Sequence, residues 1–284
     1  MENITLVNGI EMPRLFQGLP IIKGLVNLSK QDFIKVVENT VSCGICGFDT
    51  SHEYGKSEEY LKFAIRQLKN NGIPREKLFI VSKIGNGQQI DGDIEKCVDQ
   101  SLKRIGLDTL DLMLLHWPLP DYYIENWGKL IEVYKKGKVR AIGIANAKIR
   151  HLEQLKKYYD DFLPMVLQTE IHPFNTCDEL RDYCRKNDIA IQACTSLLKM
   201  TDKVKNNKTL KEISLLTGMS IPQLMLIWSI NMGISPIFRS FNIAHLKEIG
   251  NLPEKILTDE LIQKISSLNE GYRYHPESMN CPGF

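Results

Sequence analysis

The chain has 284 residues, 43% of them hydrophobic and 25% charged, an ordinary globular balance that argues against both disorder and a membrane-embedded class. Its 36 basic side chains nearly cancel 34 acids, for a formal charge of +2, so there is no electrostatic case for nucleic acid or an anionic membrane as a partner. Seven cysteines scattered between Cys43 and Cys281 do not make a secreted disulfide framework, the N-terminus lacks a leader pattern, and no run reaches the roughly 18 apolar residues of a membrane span, so a cytoplasmic protein is expected.

Taken in order, residues 5–7 and 10–12 flank Asn8-Gly9, the favoured dipeptide of a two-residue turn, which predicts a β-hairpin plugging one end of the fold. Residues 15–18 read as a first strand. Ser29-Lys30-Gln31-Asp32 is a capping signal ahead of a helix with Phe33, Ile34, Val37 and Val41 on one face. Gly47-Phe48-Asp49 is a short strand ending in a carboxylate, followed by a turn that holds Tyr54 and a helix over 57–68. Strand and helix then alternate: 78–84 with 91–105, 110–116 with 127–134, 139–145 with a helix bearing Ile149, Leu152 and Leu155, and 165–169 with 179–185. Strand 189–194 precedes a two-part helical region whose second part opens at Ser220-Ile221-Pro222-Gln223. Strand 234–237 leads to a last helix with Leu261, Ile262, Ile265 and Leu268 on its stripe. Runs such as Leu112-Met113-Leu114-Leu115 are apolar on both faces, as parallel strands covered by helices are. Eight such units with no Gly-, Pro- or Ser-rich linker, in a length close to the about 250 residues of a β/α barrel, predict a single-domain α/β fold over 1–284, a (β/α)8 TIM barrel with the hairpin as plug.

Functional side chains of that fold gather at the C-terminal strand ends. Asp49, Lys83 and His116 fall there, with Tyr54 in a following loop. A free tyrosine titrates near roughly pH 10; an adjacent Lys83 would favour the phenolate, Asp49 would keep the buried lysine charged and aimed, and His116 would donate to a carbonyl oxygen. None of the four carries a hydride, so a reduction implies a cofactor that does. The plainer readings, a structural Asp49–Lys83 pair and a packed histidine, are outweighed by the convergence of all four on one face. Glu170 and His172 show no metal-ligand pattern, and no metal is expected. The lone pair Cys43 and Cys46 reads as idle thiols, and Gly85-Asn86-Gly87 as a loop rather than a phosphate fingerprint. Arg239 follows the last strand, a common phosphate site in barrels.

From about Val7 to Leu268 the sequence resembles the aldo-keto reductase family. The resemblance rests on Phe48-Asp49-Thr50, Tyr54-Gly55, Ser57-Glu58-Glu59, Ser82-Lys83, Asp111-Leu112-Met113-Leu114-Leu115-His116-Trp117-Pro118, Gly137-Lys138-Val139-Arg140-Ala141-Ile142-Gly143-Ile144, Gln168-Thr169-Glu170-Ile171-His172-Pro173 and Arg239-Ser240. It implies a catalytic tetrad of Asp49, Tyr54, Lys83 and His116 with Tyr54 as general acid, reducing an aldehyde or ketone with hydride from a nicotinamide. By the same resemblance Asn146 and Gln168 hold the nicotinamide carboxamide, Arg239 and Ser240 grip the adenosine 2′-phosphate, and NADPH is expected over NADH. Departures accompany it. Ala145-Asn146 stands where the family usually has Ser-Asn, and Ala193-Cys194-Thr195-Ser196 where it has Ala-Tyr-Ser-Pro, which puts Cys194 and Thr195 at the cofactor without a stacking ring. His245 falls where an arginine commonly backs the phosphate contact, and Phe16-Gln17-Gly18-Leu19-Pro20 replaces a Gly-x-Gly-Thr-Trp type segment. Leu19, Pro20, Trp117, Tyr122, Tyr123 and the tail 271–284 are the expected walls of the substrate pocket. The expected partner is a small carbonyl compound, bound by a monomer or weak homo-oligomer. A cofactor-impaired barrel serving as a binding or regulatory subunit is the alternative.

Overall fold

The structure is a computed structural model, which describes every residue except 1, 2, 22–25, 27, 161, 254–256, 276–280 and 282–284. The chain opens with an antiparallel hairpin of β1 (Ile4–Thr5) and β2 (Glu11–Met12). The connection differs from the expected two-residue turn. Leu6 N–H bonds Ile10 O at 2.9 Å and Gly9 N–H bonds Leu6 O at 2.8 Å, so the loop is three residues long and ends at Gly9 with φ +80°. Asn8 stays in that loop, its Oδ1 accepting Ile10 N–H at 3.3 Å, while its amide donates out of the turn to Arg140 O at 2.9 Å. Buried Met12 reaches the barrel interior, its sulfur 3.7 Å from Gln192 Nε2.

Eight parallel strands follow and close on themselves: β3 (Phe16–Gly18), β4 (Gly47–Asp49), β5 (Phe79–Ile84), β6 (Leu112–Leu115), β7 (Ile142–Ala145), β8 (Val166–Glu170), β9 (Ala190–Cys194) and β10 (Ile234–Phe238), with β10 pairing back onto β3. This is the (β/α)8 barrel the alternation predicts. All four residues of β6 have no accessible surface, as expected of a strand covered on both faces. The Phe16 departure is absorbed by its neighbour: Phe16 pairs with Gly47, where a Cβ would come within 2.7 Å of the phenyl ring. That ring packs edge-on against Phe79 at 5.7 Å. Near the start of β6, buried Asp111 ties strands together, accepting from Arg75 at 2.6 Å, Arg140 at 2.8 Å and Ile80 N–H at 2.8 Å.

The outer layer comprises α1 (Lys30–Ser42), α2 (Ser57–Asn70), α3 (Asn86–Asp91), α4 (Ile94–Ile105), α5 (Tyr123–Lys135), α6 (Ile149–Tyr158), α7 (Asp178–Lys186), α8 (Asp202–Lys205), α9 (Lys208–Thr217), α10 (Ile221–Asn231), α11 (Ile243–Gly250) and α12 (Asp259–Ser266). Ser29 caps α1 by accepting Asp32 N–H at 3.1 Å, and Ser220 with Gln223 forms a reciprocal capping box on α10. Three helical features were not foreseen, the first being that the expected two-part region after β9 holds three helices, α8, α9 and α10. The helix expected over 91–105 is split, because Gly92 turns left-handed at φ +73° and Asp93 starts a new helix by accepting Lys96 N–H. The small-residue run after β5 is therefore the first turn of α3. A further helix, α11, lies before the last one and is capped by Asn242 Oδ1 on Ala244 N–H at 2.9 Å. Among the described residues no single helix is long and apolar enough to cross a membrane.

Candidate active site

Asp49 is the last residue of β4, and β5 carries Lys83 next to its end. Both are almost fully buried. The ammonium uses all three of its donors: 2.6 and 2.7 Å to the two Asp49 oxygens and 3.0 Å to Thr50 O. Burial pulls the Lys83 ammonium down, but Asp49 and Tyr54 more than offset that, and its pKa ends above the ordinary value. Gln168, at the inner face of β8, donates to Asp49 at 2.9 Å and to Gln192 at 3.0 Å, closing a polar layer across the barrel.

Tyr54 lies over this pair, its ring centroid 5.0 Å from the Lys83 ammonium. The segment 19–21 is stitched against it: Leu19 N–H bonds Asp49 O at 2.9 Å and Ile21 N–H bonds Tyr54 O at 3.3 Å. Gly55, at φ +59°, permits that approach, since a Cβ there would strike Ile21 O. The Tyr54 hydroxyl is pushed up to about 12, first by burial, with Lys83 pulling it down and Asp49 pushing the same way as burial. The expected Lys83 effect is present, and burial exceeds it. His116 follows β6, and its ring meets the Tyr54 ring edge-on at 5.9 Å. The four expected residues therefore sit together at the C-terminal strand ends.

Sequence reasoning passed over Glu53. Its carboxylate lies 2.6 Å from His116 Nδ1 and accepts Asn86 N–H at 3.2 Å. A glutamate directly before the loop tyrosine was the available signal. Glu170 was also underrated. It is 1% exposed and accepts from His172 at 3.1 Å, Tyr274 N–H at 2.5 Å and His275 N–H at 3.1 Å, holding the chain near 274 against the end of β8.

The other expected residues fall into three groups. Asn146, just past β7 at φ +61°, donates to His116 O at 3.0 Å, beside Ala145. Cys194 ends β9 and its thiol is pushed up to about 12 by burial, while Thr195 follows at φ +54°. Left-handed non-glycine backbone recurs at Leu198, Lys199 and Met200, a costly conformation of the kind that collects at ligand sites. Arg239 is exposed, and Ser240 and His245 meet at 3.3 Å where α11 begins. A guanidinium, a hydroxyl and a helix N-terminus form a donor set that suits a phosphate. Of the expected pocket walls, Leu19 is buried, Pro20 is partly exposed, Trp117 packs with Leu119 and Cys281, and Tyr122 is exposed. Tyr123 turns between α5 and α6, where its hydroxyl donates to Gln154 and its ring meets His151. Lys199 stands 4.1 Å over the Tyr274 ring. Much of the tail expectation, residues 276–280 and 282–284, lies outside the described residues. No cluster of three or more potential metal ligands occurs among the described residues.

The family model for the Aldo/keto reductase family matches residues 20–270. Glyoxal reductase of Bacillus subtilis (strain 168) is 35% identical over 275 residues, covering 97% of this chain and 95% of that protein. The crystal structure of an aldo-keto reductase from a Medee basin deep-sea metagenome library superposes with a TM-score of 0.88 at 29% identity, covering 96% of this chain and 97% of the other. A Bombyx mori aldo-keto reductase in complex with NADP superposes with a TM-score of 0.89 at 25% identity, covering 98% and 95%.

Proposed function

Because the chain belongs to the aldo/keto reductase family, we propose that it is an NADPH-dependent reductase that converts an aldehyde or ketone to an alcohol. The observation that carries this is the buried Lys83–Asp49 pair beneath Tyr54, with His116 edge-on to the same phenol. NADPH supplies the hydride when bound. The residues suited to hold it are Asn146 and Gln168 at the nicotinamide end, with Cys194 and Thr195 beside them, and Arg239, Ser240 and His245 at the phosphate end.

The chain's own part is binding and proton supply. A carbonyl oxygen between Tyr54 and His116 is polarised by both, and Tyr54, protonated throughout the neutral range, delivers its proton to the developing alkoxide. Lys83 stabilises the phenolate left behind, and Asp49 with Thr50 O fixes where that charge sits. Leu19, Pro20, Trp117 and Tyr122 are the proposed walls around the substrate. The relation to glyoxal reductase makes small dicarbonyls the first substrates to try, in a monomeric or weakly associating cytoplasmic protein. Ala145 and Cys194 favour the second reading, a barrel that binds but does not turn over, because they remove a hydroxyl and a ring from the proposed nicotinamide end. One experiment separates the two: NADPH consumption in the presence of glyoxal, with NADH in parallel. Turnover faster with NADPH supports the reductase, and a folded protein that consumes neither cofactor with any carbonyl defeats it.

A further inference from the structure

Glu53 is held in place from three directions. Its Oε2 lies 2.6 Å from His116 Nδ1, its Oε1 accepts Asn86 N–H at 3.2 Å, and its own N–H donates to Ser51 Oγ at 3.2 Å. Residue 85 makes the room, since a Cβ on Gly85 would collide with the Glu53 carboxyl. The His116 hydrogen bond, ahead of the other contributions, keeps that carboxyl below the usual carboxylate range. At neutral pH it is an anion with acceptors only, so His116 Nδ1 must be the donor. His116 Nε2 makes no hydrogen bond with any described residue.

Resting on the reductase reading, we infer that Glu53 is a positioning residue that fixes the proton of neutral His116 on Nδ1, so that His116 donates to a substrate carbonyl only as an imidazolium. With Nδ1 protonated, the neutral ring offers a lone pair at Nε2 and cannot donate to an oxygen. A second proton on Nε2 makes a charge-assisted donor, stronger than a neutral one. The groups around the pair are the Tyr54 ring at 5.9 Å from the His116 ring, the Lys83 ammonium beyond Tyr54 with Asp49 behind it, and His52, which faces Glu53 and lies between Arg104 and Glu58. Tyr54, pushed up to about 12, keeps its proton on both sides of neutrality. A loss of kcat/KM on the alkaline side of neutrality that depends on the Glu53 carboxylate therefore reports His116 rather than Tyr54.

The test pairs a pH profile with a direct view of the ring. In wild type, kcat/KM for glyoxal reduction falls about tenfold per pH unit above the midpoint. Glu53→Ala lowers the plateau and flattens that fall, because an unconstrained imidazole favours the Nε2–H tautomer and its neutral form can still donate. Glu53→Asp restores the fall. Gly85→Ala, which displaces the carboxylate without removing it, flattens the profile like Glu53→Ala and adds nothing when combined with it. Nitrogen NMR on histidine-labelled protein, with His116→Asn assigning the signal, reads the tautomer without turnover. Nδ1–H in wild type and Nε2–H in Glu53→Ala are expected. Nε2–H in wild type, or an unchanged steep limb in Glu53→Ala, would overturn the inference. If no carbonyl is turned over, the reductase reading fails, and the NMR result still decides the role of Glu53.

Discussion

Replacing Asp49 by Asn removes one charge from a pair that has almost no contact with water. Lys83 is 1% exposed and Asp49 4%, and the ammonium donates two of its three hydrogen bonds to Asp49. Breaking a buried ion pair by removing one member costs about 3 to 5 kcal/mol, because the remaining charge is stranded. Asparagine keeps one acceptor oxygen for Lys83 or Gln168, and Thr50 O still accepts, so the lower end, about 3 kcal/mol, is expected. Lys83→Met strands the carboxylate instead, with Gln168 the one remaining side-chain donor to it among the described residues, and costs a similar amount. The double variant Asp49→Asn/Lys83→Met strands no charge. Filling the same volume with an apolar chain should bring it within about 1 kcal/mol of wild type. Urea unfolding followed by tryptophan fluorescence measures all four proteins, since Trp127 and Trp228 have no accessible surface in the folded state. Costs that simply add in the double variant would refute the argument that the two side chains stabilise each other through charge.

Two other outcomes follow from the same geometry. Arg239→Ala removes a charged donor suited to a phosphate and should weaken NADPH binding by about 1.5 to 3 kcal/mol, or roughly 10- to 150-fold in Kd, while leaving NADH binding unchanged by calorimetry. Burial pushes the Glu170 carboxyl up, but bonds from His172, Tyr274 N–H and His275 N–H more than reverse it, leaving the pKa below its ordinary value. The sign for stability follows: the contribution is present above the unfolded carboxylate pKa of about 4.3 and is lost as pH falls through the lower folded value. The Tm advantage of wild type over Glu170→Gln should therefore shrink between neutral pH and about pH 3; an advantage that does not change would show that the charge of Glu170 is not what holds the chain near Tyr274.

The barrel was legible because its signal is local. Runs such as Leu112-Met113-Leu114-Leu115 can be satisfied only by cover on both faces, and helical stretches with an apolar stripe alternate with them. The meeting of Asp49, Tyr54, Lys83 and His116 was legible for a related reason, since strand ends of one barrel share a face. What escaped depends on partners distant in sequence. Asn8 is legible as a turn residue, but the second task of its amide, donating to Arg140 O across 132 positions, is not. Gly92 is a glycine that a helix can tolerate, and only with Asp93 ready to cap does it become a break. Glu53, between His52 and Tyr54, looked like a solvated charge until folding brought Gly85, Asn86 and His116 to it. The upward push on Tyr54 was beyond sequence reasoning because burial is a tertiary quantity. A lysine nearby gives the sign of one contribution, whereas the sum needs the depth of the site.

The measurement that tests the central claim most directly is single-turnover oxidation of bound NADPH by glyoxal in wild type and Tyr54→Phe. The ring and its contact with Lys83 survive that change, and only the transferable proton is lost. Unchanged NADPH binding is expected, with turnover slowed about 10²- to 10⁴-fold, the usual contribution of a placed general acid. Turnover at the wild-type rate in Tyr54→Phe would contradict that claim and move the proton source elsewhere.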